Sequence, residues 1–177
     1  MKIFAEISLQ DYLEQARSLI IKSIEKESAQ TINNKDDYLK EIIQTAYINP
    51  VILQTDKLSI TLSEHMIPAE QFPALFSVQE GKSYKKEVIK FHIPYTGDKK
   101  LFACHPNDQI DWTMEIELND DEFCFEIINF SNNTNAINND KESNLKNITK
   151  RFEDIASVVS QYNASIGAEI QQSFDAK

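Results

Sequence analysis

The sequence predicts an α+β fold: an antiparallel sheet of about five strands, flanked by N-terminal helices and one long C-terminal helix. Two observations favour this fold class. Apolar residues recur every three to four positions near both ends of the chain, which is typical of amphipathic helices. In the middle of the chain the apolar period falls to two, which is typical of strands with one buried face. With 177 residues, the chain can bury a core without disulfides or a structural metal.

Two helices are predicted in the N-terminal region. The first carries an apolar stripe at helical spacing, formed by Tyr12, Leu13, Ala16, Leu19, Ile20 and Ile24. Ser8 and Asp11 resemble a capping box, so this helix should begin beside Ser8. The second covers residues 36–46 and buries Leu39, Ile42, Ile43 and Ala46. It must end by Asn49, because Pro50 disfavours helical geometry in the residue before it.

Alternating segments in the middle of the chain predict strands. Residues 57–62 form the first predicted strand, and residues 64–80 are predicted to form an irregular connection with one helical turn. Residues 89–95 and 101–104 predict a hairpin around the turn Thr96-Gly97-Asp98. Because Pro94 lacks an amide donor, this hairpin should lie at a sheet edge or carry a bulge. A second hairpin joins residues 112–118 to 123–127, and its four-residue connection pairs Leu118 with Phe123.

The C-terminal region combines a polar segment with a long apolar repeat. Six asparagines between residues 129 and 139 predict a loop. The expected organisation is therefore an α+β domain at 1–130, a linker at 131–142 and a helix at 143–177. That helix carries a 3.5-residue repeat, here called the seam: Leu145, Ile148, Phe152, Ile155, Val159, Tyr162 and Ile166. The apolar pattern is still running at Lys177, so we expect the natural chain to continue.

The seam also predicts contacts with another helix. We expect Phe152, Ile155, Val159, Tyr162 and Ile166 to contact a second copy in a homo-oligomer or another protein partner. The alternative is that the first helix covers the seam within the same chain.

Composition argues against several classes of partner. The chain has 18 basic and 28 acidic residues and a net charge of −10. Direct binding to nucleic acid or to an anionic membrane needs clustered positive charge, so neither is expected. The N-terminus lacks the apolar stretch of a signal peptide, and two cysteines are too few for a disulfide framework. The expected location is the cytoplasm.

Catalytic and metal-binding motifs are not recognisable in the sequence. Its three glycines frame neither a nucleophile nor a phosphate loop, so we expect a non-enzymatic chain without a cofactor. The histidines at 65, 92 and 105 follow no ligand spacing. Cys104, His105 and Cys124 could supply three metal ligands. However, adjacent residues of a strand point to opposite faces, so Cys104 and His105 would not converge on one ion. No metal site is therefore predicted there.

Three glutamates allow a different hypothesis. Glu115, Glu117 and Glu126 should share the polar face of the second hairpin, with Glu115 opposite Glu126. A solvated face is the simpler interpretation. The alternative is a carboxylate site that binds Mg²⁺ in a small hydrolase or nuclease.

One short motif resembles a known group of proteins. Ile93-Pro94-Tyr95-Thr96-Gly97-Asp98, followed by Leu101-Phe102 and Pro106, is similar to a segment of predicted bacterial restriction-endonuclease-like defence proteins. In that group a long helix with an asparagine follows, and Asn163 would be that residue. The resemblance implies that a PD-(D/E)XK nuclease domain follows this region in the full protein.

The expected function is thus a non-catalytic regulatory, sensing or assembly module, and the resemblance implies that it is the N-terminal part of a bacterial antiphage effector. Its predicted contact surfaces are the seam and the turn Thr96-Gly97-Asp98. The metal-dependent hydrolase remains one alternative. The other is an acidic mimic of nucleic acid that occupies a groove on a partner protein.

Overall fold

The computed structural model describes residues 1–26, 35–106, 110 and 112–176. It confirms the α+β class. The chain forms two compact units, and each is assembled from separated stretches of sequence. The first unit comprises Met1, Leu53–Tyr95 and Glu115–Thr149, and the second comprises Lys2–Ile52, Thr96–Met114 and Lys150–Lys177.

A five-stranded antiparallel sheet lies mainly in the first unit. Its strands are β2 (Ile52–Leu53), β3 (Ser59–Pro68), β4 (Ser83–Thr96), β6 (Glu117–Leu118) and β7 (Glu122–Ile128). The order is β2-β4-β7-β6, with β3 also paired to β4. The long strand β4 is therefore central, with β3 on one side and β7 on the other. One face of the sheet is apolar, and its centre is the stacked pair Phe91 and Phe125, with ring centroids 5.1 Å apart.

The structure corrects three strand assignments. The strand predicted for residues 112–118 is reduced to β6 (Glu117–Leu118). β3 continues to Pro68, so the predicted irregular connection begins only with the 3₁₀ turn Ala69–Gln71. The hairpin predicted for residues 89–104 is wrong. After β4, Lys99–Phe102 form a 3₁₀ turn, and β5 (Cys104–His105) pairs in parallel with β1 (Ile7–Ser8). Four residues are too few to distinguish a strand from a 3₁₀ turn by the apolar period alone. Leu101 and Phe102 are fully buried in the 3₁₀ turn.

Pro94 lies on the central strand, not at an edge. The amide of Tyr95 donates to Asp121 on the β7 side, so the backbone polar groups of Pro94 face the other side of β4. There the ladder with β3 already ends at His92, and the Pro94 carbonyl accepts from Gln54. The missing donor of Pro94 therefore removes no bond from the ladders that β4 forms with β3 and β7.

The N-terminal helices agree with the predictions in position. α1 (Leu9–Lys26) begins as expected, because the Ser8 hydroxyl accepts the Asp11 amide at 3.0 Å. α2 (Lys35–Ala46) ends before Pro50. The stripe of α1 is narrower than predicted, since Leu19 is 70% exposed.

The C-terminal helix α3 (Thr134–Asp175) is longer than predicted. The predicted linker at 131–142 is wrong from Thr134 onward, because this stretch forms the first turns of α3. Asn132 adopts a left-handed φ of 52°, and the Asn133 side chain accepts the amides of Asn135 and Ala136. Asparagine favours both left-handed and helix-capping positions, so part of the Asn-rich run starts the helix.

Six of the seven seam residues are buried in the single chain, and Leu145 is half-buried. Ile148, Phe152, Ile155, Val159, Tyr162 and Ile166 are each at most 4% exposed. Within the second unit, the Phe152 ring packs edge-on against Phe4 and Phe102, at centroid distances of 5.0 and 4.8 Å. These side chains therefore offer no exposed apolar stripe to a partner. Among the described residues, no helix combines the length and apolarity needed to cross a bilayer.

Candidate functional site

The polar face of the sheet gathers titratable side chains of β4, β6 and β7. Cross-strand pairing places His92 beside Cys124, Cys124 beside Glu117, and Lys90 beside Glu126. Thr61 reaches the same face from β3, because it pairs with Lys90. All these residues belong to the first unit.

Three of these groups converge. The Nδ1 atom of His92 lies 3.2 Å from the Cys124 Sγ and 3.3 Å from the Glu122 Oε1. The Cys124 Sγ lies 3.7 Å from the same Glu122 oxygen. On the far side of the ring, the His92 Nε2 lies 3.0 Å from the Thr61 hydroxyl. Across residues 1–26, 35–106, 110 and 112–176, His92, Glu122 and Cys124 form a group with the composition and spacing of metal ligands.

The environment of Cys124 does not favour nucleophilic chemistry. Burial, and after it the Glu122 carboxylate, raise the pKa of the Cys124 thiol to about 11. The thiol therefore stays protonated at neutral pH, whereas a nucleophilic cysteine needs a lowered pKa. Glu122 also approaches the same ring nitrogen as the thiol, and a Cys–His–acid triad would place the acid at the opposite nitrogen.

The predicted glutamate set is brought together, but with a lysine among its members. Glu115, Glu117 and Glu126 line a cleft of about 320 Å³ together with Lys90. Lys90 forms a short ion pair with Glu117. That hydrogen bond lowers the pKa of Glu117 and raises the pKa of Lys90. A cation already occupies the centre of this acidic face, which weakens its attraction for Mg²⁺.

Cys104 and His65 have separate environments. Cys104 is fully buried, and its thiol donates to the Lys100 carbonyl at 3.5 Å. Burial raises the pKa of the Cys104 thiol to about 12. The His65 ring is bonded to the Ser63 hydroxyl at 2.9 Å. The pair of His92 and Cys124 is not recognisable in the sequence, because only the β4–β7 register brings these residues together across 32 positions.

The turn Thr96-Gly97-Asp98 binds its own chain. Gly97 has φ 105°, and a Cβ atom there would lie 2.2 Å from the Pro50 carbonyl oxygen. The Asp98 carboxylate accepts the Asn49 amide at 2.8 Å, and the Asp98 amide donates to the Asn49 carbonyl. Gly97 and Asp98 therefore hold residues 49–50 of the second unit, which is a structural role.

Asn163 binds the backbone of Ile48, the residue that precedes Asn49. Its Oδ1 accepts the Ile48 amide at 3.1 Å, and its Nδ2 donates to the Ile48 carbonyl at 2.8 Å. We call this pair of bonds the amide clamp. The glycine, aspartate and asparagine singled out by the motif thus bind one short segment, residues 48–50.

The outer edge of β3 is the most exposed regular element of the first unit. Ser59–Met66 are exposed, and among them Ile60, Leu62 and Met66 are 55%, 57% and 62% exposed. The Ala69 amide donates to Lys82 at the end of the β3–β4 ladder. In an antiparallel pair, hydrogen-bonded residues alternate with residues whose backbone groups point away from the partner strand. The odd-numbered residues of β3 therefore bond to β4, and the even-numbered residues direct their amides and carbonyls outward. The outward positions are Ile60, Leu62, Glu64 and Met66.

Comparisons with known proteins identify no relative. No family model matches the chain, and no curated protein or solved structure shows significant similarity to it.

Proposed function

We propose that the chain is a non-catalytic assembly module that dimerises by pairing β3 with β3 of a second copy. The observation that supports this proposal is the long, regular and exposed edge of β3. Natural edge strands are usually short, bulged or protected by lysine or proline. β3 has ten residues in continuous register with β4, no lysine, and proline only at its last position.

Self-pairing also fits the outward residues of β3. In a two-fold antiparallel pair centred on Ser63, Ile60 lies opposite Met66 of the partner subunit and Leu62 lies opposite Glu64 of the partner subunit. Every outward amide and carbonyl from Ile60 to Met66 is then bonded. A pair centred on Glu64 would place two carboxylates directly opposite each other, so the register through Ser63 is favoured.

The apolar surface beside β3 supports the same occupant. Ile60 and Leu62 line a cleft of about 240 Å³ with Ile89, Phe91 and Ile137 of the same unit. The apolar face of the sheet therefore continues onto β3, where it meets solvent. A second β3 would extend the sheet across this edge and cover part of that surface.

The test uses three substitutions that leave the β3–β4 ladder intact. Leu62→Glu puts like charges opposite each other twice in the proposed register, so sedimentation equilibrium should show a monomer. Leu62→Lys has a similar size and exposure but faces Glu64 of the partner subunit, so the dimer should persist. Leu75→Glu, at a residue 96% exposed, controls for the loss of any surface leucine.

The outcomes separate the proposal from its competitors. A wild-type monomer at tens of micromolar, on the order of typical working concentrations, overturns the proposal. So does a Leu62→Glu variant that remains dimeric. If both Leu62 variants are monomeric, the register through Ser63 is wrong.

The resemblance of the motif around Gly97 supports a more specific setting. We place the module in the cytoplasm, in front of the nuclease domain of a bacterial defence effector, where dimerisation would bring two nuclease domains together. Reading the gene beyond the codon for Lys177 tests this setting, and a downstream frame without a PD-(D/E)XK motif contradicts it.

The two alternative functions have weaker support. A hydrolase at Glu115, Glu117 and Glu126 is disfavoured by the Lys90–Glu117 ion pair at the centre of the carboxylates. An acidic mimic of nucleic acid rests on the net charge of −10 alone.

A further inference from the structure

The spacing of His92, Glu122 and Cys124 matches the edges of a zinc tetrahedron. With Zn–S bonds of about 2.3 Å and Zn–N and Zn–O bonds of about 2.0 Å, tetrahedral ligands lie roughly 3.3 Å (N to O) and roughly 3.5 Å (S to N and S to O) apart. The corresponding distances in the structure are 3.3, 3.2 and 3.7 Å. A small movement of the Cys124 and His92 side chains would complete the geometry.

The histidine is oriented for this role. When its Nε2–H donates to the Thr61 hydroxyl, the Nδ1 atom presents a free lone pair to Cys124 and Glu122. Metal-binding histidines commonly have their second nitrogen fixed in this way by a neighbouring oxygen. Thr61 would thus be a positioning residue, since it acts through His92.

The charges of the group balance a divalent cation. A thiolate, a carboxylate and a neutral imidazole carry two negative charges together. The nearby Lys90 is already paired with Glu117 and leaves this balance unchanged. One sulfur, one nitrogen and one oxygen ligand suit Zn²⁺ better than Mg²⁺ or Ca²⁺, which prefer oxygen alone.

The site is accessible from one side. Cys124 is 2% exposed, whereas the side chains of His92 and Glu122 are 23% and 34% exposed. The sulfur is therefore shielded, and an ion can approach from the side of the imidazole and the carboxylate. Three protein ligands leave the fourth tetrahedral position for water or an external ligand.

We propose that His92, Glu122 and Cys124 form a zinc-binding site on the polar face of the sheet. It is independent of the proposed dimer, since the three ligands come from β4 and β7 of one chain.

Titration of the purified chain with Co²⁺ alone tests the site, because a thiolate bound to Co²⁺ gives a sulfur-to-metal charge-transfer band. We expect one Co²⁺ per chain and loss of the band when Zn²⁺ is added. Cys124→Ser should abolish the band, and Cys104→Ser, the matched control at the other cysteine, should retain it. Thr61→Val should weaken binding about tenfold while keeping the band, as expected for the loss of an outer partner.

Two results would overturn the proposal. One is the absence of a charge-transfer band in the folded wild-type chain with excess Co²⁺. The other is a band that survives in Cys124→Ser. If Cys124→Ser fails to fold, His92→Gln and Glu122→Gln decide, because both side chains are partly exposed. Wild-type affinity for Co²⁺ in both variants would then exclude the site, and a loss of at least tenfold would support it.

Discussion

Replacing Asn163 by alanine should destabilise the second unit through the loss of the amide clamp. The substitution leaves the Ile48 amide and carbonyl without their side-chain partners, and Ile48 is only 5% exposed. A buried polar group that loses its partner costs about 1–3 kcal/mol, and alanine regains about 0.5 kcal/mol of helix propensity. For two such groups, less the gain in helix propensity, the expected loss of unfolding free energy is about 1.5–5.5 kcal/mol.

Urea unfolding followed by tryptophan fluorescence measures this loss. Trp112 is the single tryptophan of the chain and lies in the second unit, where it contacts Phe4 and Arg151. Asn139→Ala, at an exposed position of α3, is the matched control for helix propensity. If Asn163→Ala and Asn139→Ala differ by less than about 0.5 kcal/mol, which is the range of ordinary surface substitutions, the clamp does not stabilise the fold.

Asn163→Asp tests whether the side chain must donate a hydrogen bond to the Ile48 carbonyl. The carboxylate keeps an acceptor for the Ile48 amide but places negative charge against the Ile48 carbonyl, so its protonated form should be favoured in the folded state. The folded-state pKa of this aspartate should then lie above its ordinary value of about 3.9. The variant should therefore recover stability relative to wild type as the pH falls towards 4, and it should lose that stability as the pH rises. A pH-independent difference between the two chains would contradict this.

Two further predictions concern backbone geometry and high pH. Gly97→Ala should destabilise by about 2–4 kcal/mol in urea unfolding, because the added Cβ would lie 2.2 Å from the Pro50 oxygen at a φ of 105°. Gly81→Ala, at φ 74° with nothing within 4 Å of the added carbon, isolates the cost of φ alone, so equal losses would contradict the predicted clash. Burial raises the pKa of both Cys104 and Tyr12 to about 12. Since both groups prefer their neutral forms in the folded chain, stability should be constant up to about pH 8.5, the ordinary range of a thiol, and should fall as the pH rises towards 12. The urea midpoint measured from pH 8 to 11 tests this, and Cys104→Ala should flatten the decline. A midpoint unchanged up to pH 11 would contradict it.

Features specified by adjacent residues were predictable from the sequence. The Ser8 cap of α1 depends on residues three positions apart, and the pairing of Leu118 with Phe123 depends on a single turn. The seam of α3 was also recognised, because its 3.5-residue period extends over many turns. The sequence left its partner open between a second copy and the first helix, since a period shows that a face is buried but not what covers it.

Features that depend on register were not predictable. His92 and Cys124 lie 32 positions apart, and a shift of one residue between β4 and β7 would place them on opposite faces. The Asn-rich run was misassigned for a different reason. Its composition indicates disorder, whereas the positions of Asn132 and Asn133 relative to α3 make them a left-handed residue and a helix cap.

The amide clamp also bears on how the protein forms during synthesis. It joins residues 115 positions apart, so α1 and α2 leave the ribosome long before Asn163 exists to bind Ile48. Contacts of such long range form late, and chains that wait for them expose apolar surface in the meantime. During this interval Phe4 and Phe102 lack Phe152, their neighbour in the folded unit. A nascent chain stalled before α3 is complete should therefore depend on a chaperone, whereas the released chain should not.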